Sequence, residues 1–212
     1  MPVHAHDHPV FSRVYGVVAA VGERTGLGEL RARVLAPAHG RLLIVGLGPG
    51  HDLEHLPPAV TSVVAVEPSE PMRHAARHRV EQIVAGGVEV EVVDALGEAL
   101  PLEDDSVDSV LFAYVLCTIE DPAAALAEAR RVLRPGGVVC VLEHVRAQQP
   151  RSFTGVLQRG VRPVWPRLTG GCHADRDTRA AFVAAGYDVE GLRDVTMLNI
   201  PPVTPTLIGT AR

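Results

Sequence analysis

Between Val45 and Gly50 the chain reads Val-Gly-Leu-Gly-Pro-Gly directly after an apolar run, and two acids, Glu67 and Asp94, close the next two apolar runs. Glycines at 46, 48 and 50 let the backbone turn tightly and bring its N–H groups close to a ligand at the start of a helix. A dinucleotide fingerprint needs glycine at the sixth position of G-x-G-x-x-G and a long helix after it. Here the sixth position is His51, and Pro57-Pro58 cut the following stretch short. A nicotinamide dinucleotide therefore fits this loop poorly. In an open α/β sheet a carboxylate at the end of a strand, as Glu67 is placed, can accept hydrogen bonds from both ribose hydroxyls of an adenosine. Asp94, ending the next run, can accept from the exocyclic amine of adenine. Taken singly, each acid reads equally well as a solvated strand end, since carboxylates are normally exposed. Loop and acids together outline an adenosine site along the carboxyl ends of three strands.

The elements that must position these groups follow from hydrophobic periodicity. From Arg41 onward short β-branched runs are expected as buried strands at Leu42–Val45, Ser62–Val66, Val88–Val93, Val107–Leu111 and Val138–Leu142. Helices are expected over Pro71–Ile83 and over Pro122–Leu133, the latter capped by Asp121 with Pro122 at its first position. Such alternation means a parallel sheet with crossover helices. Arg134-Pro135-Gly136-Gly137 is expected to stop the second helix and turn into the next strand. Phe11, Val14, Tyr15, Val18 and Val21 form one apolar stripe at helical spacing, so a helix is expected there too. Residues Arg151–Gly171, rich in Gly, Pro and Arg and holding Trp165, read as an insertion over the sheet. A helix over Asp177–Ala185 and two last strands, near Tyr187–Val195 and Thr206–Thr210, complete the expected order.

With 212 residues, 47% of them hydrophobic, the chain can bury one substantial core but not two ordinary enzyme domains. The expected organisation is a flexible His-bearing start at 1–10 and one domain over 11–212, with a helical cap at 11–40 and a substrate-covering insertion at 145–173. A net charge of -5 with interspersed signs gives no basic stripe for a phosphate backbone, so a nucleic-acid partner is disfavoured and a small-molecule substrate fits better. No apolar run is long enough to cross a bilayer, and Met1–Asp7 lacks the pattern of a signal peptide, so a cytoplasmic protein is expected. Cys117, Cys140 and Cys172 are odd in number and widely spaced, which reads as reduced thiols and not as a disulfide framework or a thiolate zinc site. His4, His6 and His8 carry metal-ligand chemistry, but a short tail needs no metal, and none is expected.

The motifs Val45–Gly50, Val66-Glu67-Pro68, Val93-Asp94-Ala95 and Leu133-Arg134-Pro135-Gly136-Gly137 resemble those of the class I S-adenosylmethionine-dependent methyltransferases, over nearly the whole chain. The resemblance implies a Rossmann-like, doubly wound, seven-stranded and mostly parallel sheet with an antiparallel end. It implies S-adenosylmethionine as cofactor, with Gly46, Gly48 and Gly50 under its methionine part. Glu67, Pro68, Met72, Asp94 and Ala95 would lie along the adenosine, and Phe112 and Ala113 near the sulfonium. Within the family, Tyr114–Cys117, Leu142-Glu143-His144-Val145 and Gly170-Gly171-Cys172-His173 resemble the thiol methyltransferase branch called methyltransferase-like protein seven. Quinone-biosynthesis and phospholipid methyltransferases share the cofactor motifs. One departure stands out. The superfamily usually has an acid two residues before the first loop glycine, where this chain has Ile44, and losing a charge-assisted contact costs about 1.5 to 3 kcal/mol.

Methyl transfer to a thiol needs alignment, exclusion of water and a nucleophile in its reactive protonation state. A thiol with a pKa of about 8.5 is mostly protonated at neutral pH, so a nearby imidazole can take its proton. His144, after the fifth strand, and His173, after the insertion, are the candidates; His144 also reads as a strand-end histidine bonded to backbone, and His173 as a histidine at a helix start. Tyr15 is placed to close the site over the cofactor. Arg151, Arg159, Arg162 and Arg167 suit an acidic substrate or a solvated cover loop. Three functions compete at this point: an active small-molecule methyltransferase, a degenerate S-adenosylmethionine-binding protein with a regulatory role, and a nucleotide-dependent oxidoreductase. Glu67 and Asp94 favour the first two over the third, and Ile44 is the feature that favours the second.

Overall fold

The computed structural model describes residues 26–196 and 201–212. The expected helix Phe11–Val21, Tyr15 and the three early histidines lie outside them. Helix α1 (Gly28–Leu35) leads into β1 (Gly40–Val45), a 3-10 turn (His51–His55), β2 (Val60–Val66), α2 (Glu70–Ala85), β3 (Glu89–Val93) and β4 (Val107–Ala113). Then come α3 (Pro122–Val132), β5 (Leu133–His144), α4 (Phe153–Val161), α5 (Trp165–Leu168), α6 (Thr178–Ala184), β6 (Leu192–Thr196) and β7 (Pro205–Ala211). The seven strands form one sheet in the order β3-β2-β1-β4-β5-β7-β6. β1 to β5 pair in parallel, while β7 runs antiparallel to both β5 and β6, as the resemblance implies.

β1 reads as a continuous apolar run because both of its faces are covered. Leu43 and Val45 pack on one side with Leu126 and Ala129 of α3 and Phe182 of α6. Leu42 and Ile44 pack on the other with Leu30, Val34 and Leu35 of α1 and Ala76 of α2. Ile44 is thus a core residue filling the face beneath α1. The strand order reverses between β1 and β4, and the crevice outside such a switch point is where ligands bind in open α/β sheets.

The stretch after the glycine loop is a 3-10 turn of five residues, as short as Pro57 and Pro58 lead one to expect. Two local expectations change. β5 begins at Leu133, which pairs with Val107, and the ladder is irregular before Val138. Arg134–Gly137 therefore extends the strand through a bulge where a full turn was expected. β6 begins at Leu192: Tyr187 is instead buried, donating its hydroxyl proton to the Leu126 carbonyl at 2.9 Å and meeting Phe182 edge-on at 5.3 Å. Asp121 caps α3 as expected, its Oδ1 accepting from Ala123 and Ala124 at 3.0 and 3.1 Å. Among the described residues no helix is long and apolar enough to cross a membrane.

Candidate active site

The loops that follow β1 to β4, together with residues 170–176, enclose a cleft of about 460 Å³ at the switch point. This volume suits a ligand of nucleoside size with an amino-acid tail. Its floor is the glycine loop. Gly46 has φ +74, and a Cβ there would lie 2.4 Å from Val115 Cγ2, so only glycine lets the loop after β1 pass this close to the loop after β4. Gly48 has φ +54 but faces open space, with nothing within 4 Å of a Cβ position. Its amide donates to Glu67 Oε2 at 2.8 Å, and Ser69 donates to Oε1 at 2.9 Å. Glu67 is 8% exposed and lines the cleft, with its carboxylate held in place by these two amides. Pro68, Met72, Ala95 and Ala113 line the same cleft. An adenosine-bearing cofactor fits this set: an open glycine cradle, an anchored carboxylate and apolar walls.

Other expected residues lie elsewhere. Gly50 stands behind the loop with φ +84, where a Cβ would meet Ala76 at 3.3 Å. Asp94 does not line the cleft; its carboxylate, 59% exposed, pairs with Arg73 Nη2 at 2.9 Å. The other guanidinium nitrogen of Arg73 donates to the Glu67 carbonyl at 2.7 Å, so Arg73 ties the ends of β2 and β3 together. Phe112 is fully buried, edge-on to Phe182 at 6.2 Å, because the pleat turns it into the core while Ala113 reaches the cleft. His173 lines the cleft, with its backbone fixed by an N–H donated to the Cys117 carbonyl at 2.7 Å. His144 lies behind the wall. Its ring packs on Tyr114 at 4.3 Å, its Nδ1 has no hydrogen bond, and burial pushes its pKa down to about 4. Its imidazole is therefore neutral at physiological pH.

Sequence reasoning missed several wall residues. Arg31 of α1 and Asp52 of the 3-10 turn form an ion pair at 2.6 Å in the cleft wall. The Arg31 guanidinium also lies 5.7 Å from the centre of the Tyr114 ring. Tyr114 itself lines the cleft and takes φ +55, a left-handed conformation that a tyrosine holds only against strain. Asp52, two residues past the last loop glycine, was the one member of this group legible as a motif neighbour. Cys117 and Cys172 are buried side by side beneath the wall and are not part of it; their mutual hydrogen bond and burial push the Cys117 thiol well above its ordinary range. Cys140, inside β5, is pushed up to about 12 by burial.

A model of the methyltransferase domain matches residues 43–141. Thiol S-methyltransferase TMT1B of Rattus norvegicus is 33% identical over 173 residues, which cover 80% of this chain and 69% of that protein. An uncharacterized 37.1 kDa protein in transposon TN4556 of Streptomyces fradiae is 49% identical over 98 residues, 45% of this chain, but the chain spans only 27% of its length. Among solved structures, a SAM dependent methyltransferase from Aquifex aeolicus superposes with a TM-score of 0.60 at 16% identity, covering 92% of this chain and 96% of that one. Sequence likeness across most of the chain and a shared overall fold lead to one conclusion: this protein belongs to the class I S-adenosylmethionine-dependent methyltransferases, and S-adenosylmethionine is its cofactor.

Proposed function

We propose that the protein methylates a small-molecule acceptor, with a thiol as the first acceptor class, in the cleft between the glycine loop and residues 170–176. The observation that carries this reading is that His173 lines the same cleft as Gly46, Gly48 and Glu67. S-adenosylmethionine, when bound, supplies a methyl group already activated on a sulfonium. The chain's own part is to hold, orient and deprotonate. Glu67, fixed by the amides of Gly48 and Ser69, takes the ribose hydroxyls. Asp52, buried in the wall near the loop, would provide a carboxylate for the cofactor's ammonium group in place of the acid missing at Ile44, and Arg31 a cation for its carboxylate. With the cofactor bound, His173 would take the proton of the acceptor thiol, and transfer would leave a methyl thioether and S-adenosylhomocysteine. His144 is the weaker candidate for that step, because it stands behind Tyr114 and its lowered pKa makes it a poor base. Residues 145–173 serve as the cover that excludes water.

The similarity to thiol S-methyltransferases supports the thiol as the first acceptor to try. The test is calorimetric titration with S-adenosylhomocysteine, followed by a methyl-donor assay against thiols, amines and phenols. The expected result is turnover with thiols that His173→Ala lowers by about 10²-fold or more while cofactor affinity is kept. Turnover unchanged in His173→Ala removes that residue from the mechanism, and turnover with phenols or amines alone overturns the thiol assignment. Cofactor binding without any turnover would favour the regulatory reading that Ile44 suggests.

A further inference from the structure

Glu143 is the one acid inside the apolar run of β5, is fully shut off from solvent, and has no part in the chemistry above. Its Oε1 accepts from two successive amides, Val115 and Leu116, each at 2.8 Å, and its Oε2 is buried without a hydrogen bond. At the same loop Arg176 donates through Nη1 to the carbonyls of Leu116 and Ile119, the second at 2.6 Å. The loop gripped in this way carries Tyr114, Val115, Thr118 and Ile119 into the cleft wall, and Tyr114 is held with φ +55. A strained residue keeps such a conformation only where its surroundings over-determine it. Val115 is also the residue against which Gly46 makes its close approach.

We propose that Glu143 and Arg176 are positioning residues for methyl transfer, clamping residues 115–119 by their amides and carbonyls so that the wall beside the cofactor loop keeps its shape. The proposal rests on this cleft being the transfer site. Charge is part of the clamp, since amide hydrogen bonds to a carboxylate are roughly twice as strong as those to a neutral acceptor. Burial pushes the Glu143 carboxyl up to about 7, against the opposing pull of the Leu116, Val115 and Cys117 amides and of Arg176. The other groups facing it are the thiols of Cys117 and Cys172, while β7 presents Leu207. While Glu143 stays buried, its ionised form holds the amides more strongly than its neutral form, so the clamp itself tightens as pH rises through neutrality although the fold as a whole loses stability over the same range.

The experiment is titration of the full chain and of Glu143→Gln with S-adenosylhomocysteine from about pH 6 to about pH 8, alongside amide hydrogen exchange. The wild-type protein is expected to bind roughly fivefold to tenfold more tightly at the upper end. Glu143→Gln, which keeps the shape and removes the charge, should bind weakly at every pH, with faster exchange at Val115 and Leu116 and unchanged exchange in β3. A purely structural role would lower the melting temperature and leave the pH profile intact. Arg176→Lys keeps the charge but carries it on a shorter, differently shaped side chain that cannot place a donor where Nη1 sits between the two carbonyls, so it should retain the profile and lose affinity, and it keeps the proposal testable should Glu143→Gln fail to fold. A profile that is flat in the wild type, or that survives in Glu143→Gln, overturns the proposal and leaves the methyltransferase assignment standing. Absence of S-adenosylhomocysteine binding by the wild type overturns both.

Discussion

Arg31 and Asp52 meet at 2.6 Å with side chains only 5% and 6% exposed, in the wall of the cleft that the cofactor loop floors. Removing one partner of such a pair leaves an uncompensated buried charge and costs about 3–5 kcal/mol, whereas replacing both by apolar residues is often neutral. A buried pair of opposite charges beside a ligand that itself carries an ammonium and a carboxylate suggests a binding use. Asp52→Asn is expected to weaken S-adenosylhomocysteine by about tenfold or more and to leave 5′-methylthioadenosine, which lacks the amino-acid end, unaffected. The double variant Arg31→Met/Asp52→Leu should regain stability without regaining that discrimination. Calorimetric titration with both ligands checks this, and an equal loss for the two ligands would refute it.

Gly46 and Gly48 have similar positive φ values, +74 and +54, but different surroundings. Gly46→Ala must drive a methyl group into Val115, so thermal unfolding should show a large loss of stability together with loss of binding. Gly48→Ala meets only the strain of the left-handed backbone, about 1–2 kcal/mol, and should fold. Its methyl group enters the open side of the loop, so binding of S-adenosylhomocysteine should fall sharply in a protein that is otherwise intact. Tight binding by folded Gly48→Ala would place the cofactor elsewhere.

Asp94 pairs with Arg73 at an exposed site, and such pairs contribute about 0–1 kcal/mol. Asp94→Ala should therefore melt close to the wild-type temperature. If its carboxylate accepts from the adenine amine, the wild type prefers S-adenosylhomocysteine over S-inosylhomocysteine, and Asp94→Ala loses that preference. Competition between the two ligands is the measurement, and a preference that persists in the variant excludes the contact.

Glu143 and His144 are neighbours with opposite linkage to folding. The Glu143 carboxyl is raised from 4.5 to about 7, so the unfolded chain releases its proton first, and stability falls as pH rises through that window. His144 is lowered from 6.5 to about 4, so the unfolded chain takes up a proton first, and stability falls as pH drops through that window. Between about pH 4.5 and about pH 6.5 the two slopes oppose each other and largely cancel. Glu143→Gln should leave a stability that rises with pH there, and His144→Gln one that falls. Urea unfolding at each end of the window reads both slopes, and parallel profiles for the two variants would contradict the assignment.

Much of the site was legible in local sequence. The loop Val45–Gly50, the strand-ending Glu67 and the capped helix after Asp121 depend on residues a few positions apart, where glycine conformations, caps and apolar runs act through short-range sterics. The run of buried residues in β1 and β4 also announced strands covered on both faces. That same evenness hid the parity of the pleat, so the sequence could not say that Phe112 turns into the core and Ala113 into the cleft. Contacts between distant segments were equally out of reach. Arg31 with Asp52, Glu143 with the amides of residues 115 and 116, and Arg73 drawing Asp94 to the rim are joined only by the packing of one element on another. From the sequence alone came a Rossmann-like sheet and an adenosine-bearing cofactor, with the strand ends along which that cofactor was expected. The tertiary structure alone decided which histidine reaches the cleft and which charged groups build its walls, because burial and partner choice are set by long-range packing that no local spacing encodes.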